Sequence, residues 1–337
     1  MGHDSEFKAK LNYRRLRLSP HIRELVKEVR VSSDQLIQPL FVVEGISERQ
    51  AVLGMRGTHR ETPDSLLRTI EQDLQAGVRK FLLFGVPSEK KTQAFDFSFT
   101  TRQIEGIRKR FGTELFLAVD VCLCSYTSHG QCGILNREGD HVQNQATVHE
   151  LAQAAFEFAQ AGADCVAPSD MMDSRVAAIR GRLDQGGFER TLIMSYSAKF
   201  NSRFYGPFRQ AADSSPKDSD WVRLKDRATY QIDPACPQDA LLSSLRDAEE
   251  GADILMVKPG MPYLDVLADL SRAIPLPWAV YQVSGEYAAI ELLAQQGLIQ
   301  AAQAHHEAWT SLVRAGASMI ITYGARFARS ILEREFS

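Results

Sequence analysis

The chain has 337 residues, a net charge of −3 with histidines neutral, 44% hydrophobic and 24% charged residues, the make-up of a globular enzyme with a substantial core. The near balance of charge, with no long basic run, speaks against nucleic-acid binding, and no apolar run approaches the ~18 residues a membrane span needs. The polar start, Met-Gly-His-Asp-Ser-Glu, is not a signal peptide, and five cysteines are an odd count for a disulfide framework, so a cytoplasmic location is expected.

Residues 1–34 carry Arg14, Arg15, Arg17, Arg23, Lys27 and Arg30 without strong periodicity. They are expected to form an arm outside the main fold, either as a solvated face or as a subunit contact. Residues 35–337 are expected to form the catalytic unit, starting with a buried strand over 36–43. A repeating unit of helix, glycine and strand follows. Thr62-Pro63 opens a helix closed by Gly77 before Phe81-Leu82-Leu83-Phe84; Thr147 opens another that ends at Gly162 before Cys165-Val166-Ala167. Pro237 to Gly251 leads into Ile254-Leu255-Met256-Val257, and a last helix from about Gln300 to Gly316 leads into Met319-Ile320-Ile321. Helices alternating with continuously apolar strands indicate a parallel sheet covered on both faces. Strands over 36–43, 80–86, 115–121, 164–168, 191–198, 253–258, 277–283 and 318–323 predict an α/β protein of the (β/α)8 TIM-barrel class. An open doubly wound sheet is the alternative, without a Gly-x-Gly-x-x-Gly after the first strand to support it. Ala228–Asp233 reads as loop.

A barrel places function at the C-terminal strand ends. There lie Asp120, Ser169-Asp170, Lys199, Lys258, Ser284-Gly285-Glu286 and Tyr323. Two lysines side by side raise the cost of protonating each other, and a neutral lysine attacks ketones to form a Schiff base. One nucleophilic lysine beside a merely electrostatic one is the simpler reading. Cys122, Cys124 and Cys132 suit a zinc ion at about 2.3 Å per sulfur with a fourth position open; free thiols, or a structural site closed by His129, are the alternatives. Cys165 is expected in the core, Cys236 in a loop, and His305 and His306 on a helix surface. The segment of about 200–231 is too long for a plain connection and reads as a lid. Its Arg209 and Arg227 suit an anionic substrate.

Five segments carry a family resemblance: Ala-Pro-Ser-Asp-Met-Met-Asp (167–173), Ser-Tyr-Ser-Ala-Lys-Phe (195–200), Phe-Tyr-Gly-Pro-Phe-Arg (204–209), Met-Val-Lys-Pro-Gly-Met-Pro-Tyr (256–263) and Val-Ser-Gly-Glu-Tyr (283–287). From about residue 12 onward the chain closely resembles the porphobilinogen synthase (5-aminolevulinate dehydratase) family. The resemblance implies a (β/α)8 barrel with an extended N-terminal arm, assembled as a homo-octamer, that condenses two 5-aminolevulinate molecules to porphobilinogen plus two waters in tetrapyrrole (heme) biosynthesis. It implies catalytic Lys199 and Lys258. Lys199 would hold the substrate whose carboxylate becomes the propionate side chain and Lys258 the one that gives the acetate. Ser284 and Tyr323 would bind the first carboxylate and Arg209 and Arg227 the second, with Asp120, Ser169, Tyr205 and Gln231 completing the pocket. The three cysteines match the zinc-dependent branch. Asp239 stands near the position where many bacterial members place a glutamate that binds allosteric magnesium.

Departures are also present. Gln131 and Thr229 stand where some animal members place histidine and cysteine, so their second, weaker zinc site is not expected. Lys217–Leu224 looks inserted, Lys225 replaces a glycine before Asp226-Arg227, and Ala289 and Gly324 replace bulkier residues. A single-lysine aldolase leaves the cysteines and the second lysine without a role. A non-catalytic scaffold barrel leaves every filled motif position unexplained.

Overall fold

The computed structural model describes residues 13–217 and 221–332. Eight parallel strands carry the fold: β1 (Leu36–Val43), β2 (Lys80–Val86), β3 (Phe116–Val121), β4 (Cys165–Pro168), β5 (Leu192–Lys199), β6 (Ile254–Lys258), β7 (Trp278–Tyr281) and β8 (Met319–Ile321). Each pairs with the next, and Leu36 and Ile37 of β1 pair with Ile320 and Ile321 of β8. This last pairing closes the barrel and rules out the open doubly wound sheet. A short strand pair not expected from the sequence, Gln50–Ala51 with His59–Glu61, extends from β1. Ala228–Asp233 forms no strand; only an isolated bridge joins Ile232 to Phe200.

The main helices are α1 (Pro63–Gln75), α2 (Ser98–Phe111), α3 (Asn144–Gln160), α4 (Arg175–Gln185), α5 (Pro237–Glu249), α6 (Leu264–Ala273), α7 (Ser284–Gln295) and α8 (Ala301–Arg314). Thr62 and Ser65 cap α1 reciprocally with Pro63 at its first turn, which satisfies N–H groups the helix leaves unpaired. Helix α3 starts three residues before the expected Thr147. That hydroxyl is instead spent inside the helix, accepting from Ile134 N at 2.9 Å and donating to Gln143 O at 2.8 Å.

Alternation along the strands separates two cores. Phe41, Leu82, Ala118, Met194, Met256 and Ile321 fill the barrel, while Leu83, Leu117, Val166, Leu255 and Val280 face outward against Ile70, Ile104, Leu151, Ile179, Leu267 and Leu312 of the helices. Each large apolar side chain sealed this way stabilises the fold by about 1.5–3 kcal/mol. Among the described residues no helix is long and apolar enough to cross a membrane.

Ahead of the barrel lie a 3-10 turn (Tyr13–Arg17) and a six-residue helix (Pro20–Leu25) capped by Ser19, and none of residues 14–25 is buried. Leu18 and Leu25 are 74% and 81% exposed. The expected arm residues before Tyr13 lie outside the described residues.

Candidate active site

Lys199 ends β5 and Lys258 ends β6, and their Cα atoms are direct partners in the parallel ladder. Regular alternation alone would turn Lys199 outward, because Met194 and Tyr196 already face the barrel. A bulge intervenes: Ser195 pairs with Leu255 and Lys199 with Lys258, so β5 contains one residue more than β6 between them. Ala198 therefore packs outward and both lysines face the mouth. Both are buried.

Their surroundings differ. Lys199 Nζ donates to the carbonyl of Ser169. Lys258 Nζ sits among rings, with centroids at 4.1 Å (Tyr281), 4.6 Å (Phe208), 5.0 Å (Tyr196) and 5.5 Å (Tyr205). Burial and then the charge of Lys199 lower Lys258 to about 7, while Asp120 pulls it up and the ring faces also favour the charged form. Burial raises Asp120 to about 6 against the pull of the two lysines, and its Oδ1 is sealed without a hydrogen-bond partner. An amine and a carboxyl that both change protonation near neutrality are suited to proton transfer.

The carboxylate-binding candidates fall into two groups. Ser284 Oγ accepts from Phe208 N at 2.9 Å, and Tyr323 shares a 3.1 Å hydrogen bond with Tyr281. Phe208 and Tyr281 are the rings nearest Lys258, so Ser284 and Tyr323 belong to the Lys258 side. The resemblance joins the same two residues to Lys199 instead. The charges of Arg227 and Lys199 favour the Cys132 thiolate, and Cys124 and Cys122 act in turn on Lys258.

The segment expected as a lid contains a 3-10 turn (Arg203–Tyr205) and a short helix (Gly206–Ala211). Tyr205 donates to Phe200 O at 2.8 Å and Lys258 O at 3.3 Å, so its hydroxyl braces the lysine strand. Burial and the charge of Arg227 lower the basicity of Arg209, whose Nε lacks a partner. Arg227 is buried and bonds Gly130 O and Ser214 O at 2.9 and 2.5 Å; its Nε is also unpartnered, as are both polar atoms of the Gln231 side chain. Two cations near each other with unspent donors suit an incoming anion.

Among the described residues, Cys122, Cys124 and Cys132 form the one group of three potential metal ligands, with sulfurs within 4.8 Å of one another. All three are buried and free of disulfides. Despite burial, the neighbouring thiols and the charges of Arg227 and Lys199 hold Cys132 well below the usual thiol range, whereas burial drives Cys122 up. Three converging sulfurs with one favoured as thiolate fit a bound metal cation. His129 does not close this group: Nδ1 accepts from Gln131 N at 3.1 Å, and the ring packs edge-on to Trp221 at 5.9 Å. Asp239 lies apart, in the first turn of α5 beside a surface cavity of about 690 Å³.

The lid rests on the cysteine loop. Tyr230 Oη donates to Gln131 Oε1 at 2.7 Å and accepts from Cys132 N at 3.1 Å, while Gln131 Nε2 donates to Leu224 O and Ser125 Oγ to Ala212 O. Of the expected insertion, 218–220 lie outside the described residues, and its described end joins this contact, since Val222 and Leu224 are buried with Leu135.

Several supporting residues were not assigned roles from sequence. The rings of Tyr196, Tyr281 and Phe208 surround Lys258; aromatic residues in otherwise aliphatic inward positions were the available signal. Arg175 is fully buried between Asp247, at 2.9 Å, and Asp170, at 3.6 Å, and donates to Ser195 Oγ at 3.0 Å and Tyr196 O at 3.3 Å. It ties β4 and β5 to α5. His305 is also buried rather than on the surface, bonding Glu291 at 2.9 Å and stacking on Tyr287. Cys165 is buried and Cys236 exposed.

Paired lysines at a barrel mouth are an arrangement suited to treating carbonyl compounds with amine nucleophiles. A profile of the family Delta-aminolevulinic acid dehydratase matches residues 10–331. The chain is 42% identical over 320 residues to the Delta-aminolevulinic acid dehydratase of Bacillus subtilis, covering 94% of this chain and 96% of that one. It is 42% identical over 323 residues to that of Methanothermus sociabilis, covering 95% and 97%. The crystal structure of delta-aminolevulinic acid dehydratase (porphobilinogen synthase) from Toxoplasma gondii in complex with the reaction product porphobilinogen superposes with a TM-score of 0.89 at 39% identity, covering 94% of this chain and 90% of that one. The chain belongs to the delta-aminolevulinic acid dehydratase family.

Proposed function

We propose that the protein is a porphobilinogen synthase, a lyase that condenses two molecules of 5-aminolevulinate to porphobilinogen with loss of two waters. The observation that carries this reading is the direct pairing of Lys199 with Lys258, because joining two ketone substrates on one face calls for two amines. Each lysine adds to a substrate ketone and the adduct loses water to give an iminium. The iminium acidifies the neighbouring C–H bond, and the carbon nucleophile that results can form the new C–C bond. The substrate amine that closes the ring displaces one lysine, and elimination after C–C bond formation frees the other, so both return as amines.

On this reading Lys258 works with Ser284 and Tyr323 on one substrate, and Lys199 with Arg209 and Arg227 on the other. The carboxylates meet hydroxyls in the first case and guanidinium groups in the second. Asp120, between the lysines with a free oxygen, takes and returns the protons released at carbon and nitrogen. Ser169, through its carbonyl, orients Lys199; Tyr205 orients Lys258; and Gln231 offers an unspent amide to substrate.

Cys122, Cys124 and Cys132 would hold a zinc ion, which supplies Lewis acidity and orientation when bound. Three sulfurs favour zinc over magnesium, which takes oxygen ligands. The exposed leucines of the arm support its role as a contact in a homo-oligomer, with the octamer as the expected form.

Incubating the protein with 5-aminolevulinate and measuring pyrrole, with and without a zinc chelator, tests the reading. Pyrrole formation that stops on chelation is expected. Failure of folded, zinc-replete protein to form pyrrole would overturn it.

A further inference from the structure

Glu286 is used by none of the steps above, yet its side chain is built into the active-site wall. It is 5% exposed and gathers three backbone donors: Val283 N at 2.6 Å and Gly260 N at 3.3 Å on Oε2, and Met261 N at 2.5 Å on Oε1. Val283 precedes α7 at the end of β7, whereas Gly260 and Met261 follow Lys258 at the end of β6. One carboxylate therefore joins the two strand ends.

Burying a carboxylate is costly unless its oxygens are satisfied. Burial raises Glu286 to about 7, opposed by the three N–H donors and the charge of Lys258. The segment it holds is also closely packed. A Cβ on Gly260 would approach Leu312 Cδ2 to 2.9 Å and Tyr281 O to 3.3 Å. Two residues from Glu286, Ser284 engages the lid at Phe208, and Phe208 is one of the rings over Lys258. The same turn thus fixes the lysine loop, the Ser284 hydroxyl and a wall of the amine's cage.

Lys199 has a separate brace. Its Nζ meets Ser169 O, and β5 is held through Ser195 and Tyr196 by Arg175, itself paired with Asp247. Glu286 makes no hydrogen bond to this network.

We infer that Glu286 is a positioning residue for Lys258 alone, its carboxylate holding the loop after β6 so that this amine, and not Lys199, is aimed at its substrate. The inference rests on the proposed reading that both lysines form Schiff bases. Glutamine is isosteric but offers one acceptor oxygen where two are used, so Glu286→Gln turns an amide N–H toward a backbone N–H. Glu286→Asp keeps the charge but shortens the reach.

The test is borohydride trapping of 5-aminolevulinate on the whole protein, with the modified lysines located and their rates measured by peptide mass spectrometry. The unmodified protein is expected to trap substrate on both lysines. In Glu286→Gln, trapping at Lys258 is expected to slow by about tenfold or more, as for a lost charge-assisted hydrogen bond, with Lys199 unchanged. Glu286→Asp is expected to fall between the two. Equal rates at both lysines in the Gln variant, or equal losses at both, would overturn the inference. So would failure of both variants to fold, since the carboxylate would then be a general stability element. No trapping in the unmodified protein would overturn the proposed reaction itself, and this inference with it.

Discussion

Lys199 and Lys258 stand side by side only because β5 has one more residue than its neighbour in the stretch that leads to them. The extra residue places Ser197 and Ala198 consecutively away from the barrel interior, where Ser197 bonds Ser244 at 3.1 Å and Ala198 packs in the outer core. The bulge thus turns an outward lysine toward the barrel mouth.

Schiff-base formation at Lys258 is expected to accelerate as pH rises through about 7, where the buried amine loses its proton. The same shift bears on stability. From about 7 up to the ordinary lysine value of 10.5, the unfolded chain binds a proton that the folded chain does not. This group therefore makes folding more favourable as pH rises through that window, and its penalty is fully present below it. Lys258→Met is expected to abolish turnover, by more than about 10³-fold, and to flatten the pH dependence of urea midpoints above pH 7.

Removing Asp247 from the buried Arg175 group leaves only the longer contact to Asp170, at 3.6 Å, to offset the guanidinium. Asp247→Ala is expected to cost about 3–5 kcal/mol of unfolding free energy, readable as a lower urea midpoint at unchanged slope.

Arg209→Ala is expected to act mainly on substrate affinity. Loss of one charge-assisted contact to a carboxylate should raise KM about 10- to 100-fold. The lid helix is partly exposed at this position, so the melting temperature should hold. A fall in kcat alone, with KM unchanged, would contradict this role.

The cysteine cluster predicts one tightly held metal ion per chain by elemental analysis of zinc-loaded protein. Cys132→Ser removes the sulfur most favoured as thiolate and is expected to lower that content toward zero. Unchanged stoichiometry would remove the cluster as the metal site.

The barrel was readable because strands covered on both faces must be apolar throughout, and because glycines such as Gly77, at φ +95, stop each helix where the chain must turn. Family motifs likewise marked the lysines, the cysteines and the lid. The bulge was not readable: alternation cannot reveal an extra residue when Ser195, Tyr196, Ser197 and Ala198 are all buried. His305 was misplaced for a related reason. Two adjacent histidines resemble a polar face, and only the packing of α7 against α8 supplies Glu291 and Tyr287 as partners. The placement of Ser284 and Tyr323 beside the rings around Lys258 depends on Phe208 and Tyr281, which are distant in sequence and come together only in the folded mouth.

The seating of the lid on the cysteine loop has a consequence for affinities. Tyr230 bonds the backbone of Cys132, and Arg227 bonds that of Gly130, so the ordering of one segment stabilises the other. Binding free energies coupled in this way are reciprocal. A substrate held by the lid arginines Arg209 and Arg227 is expected to tighten the hold on a bound metal by the same factor by which the metal tightens the hold on substrate. Slower extraction of the ion by a chelator when substrate fills the pocket would be the measure of that shared free energy.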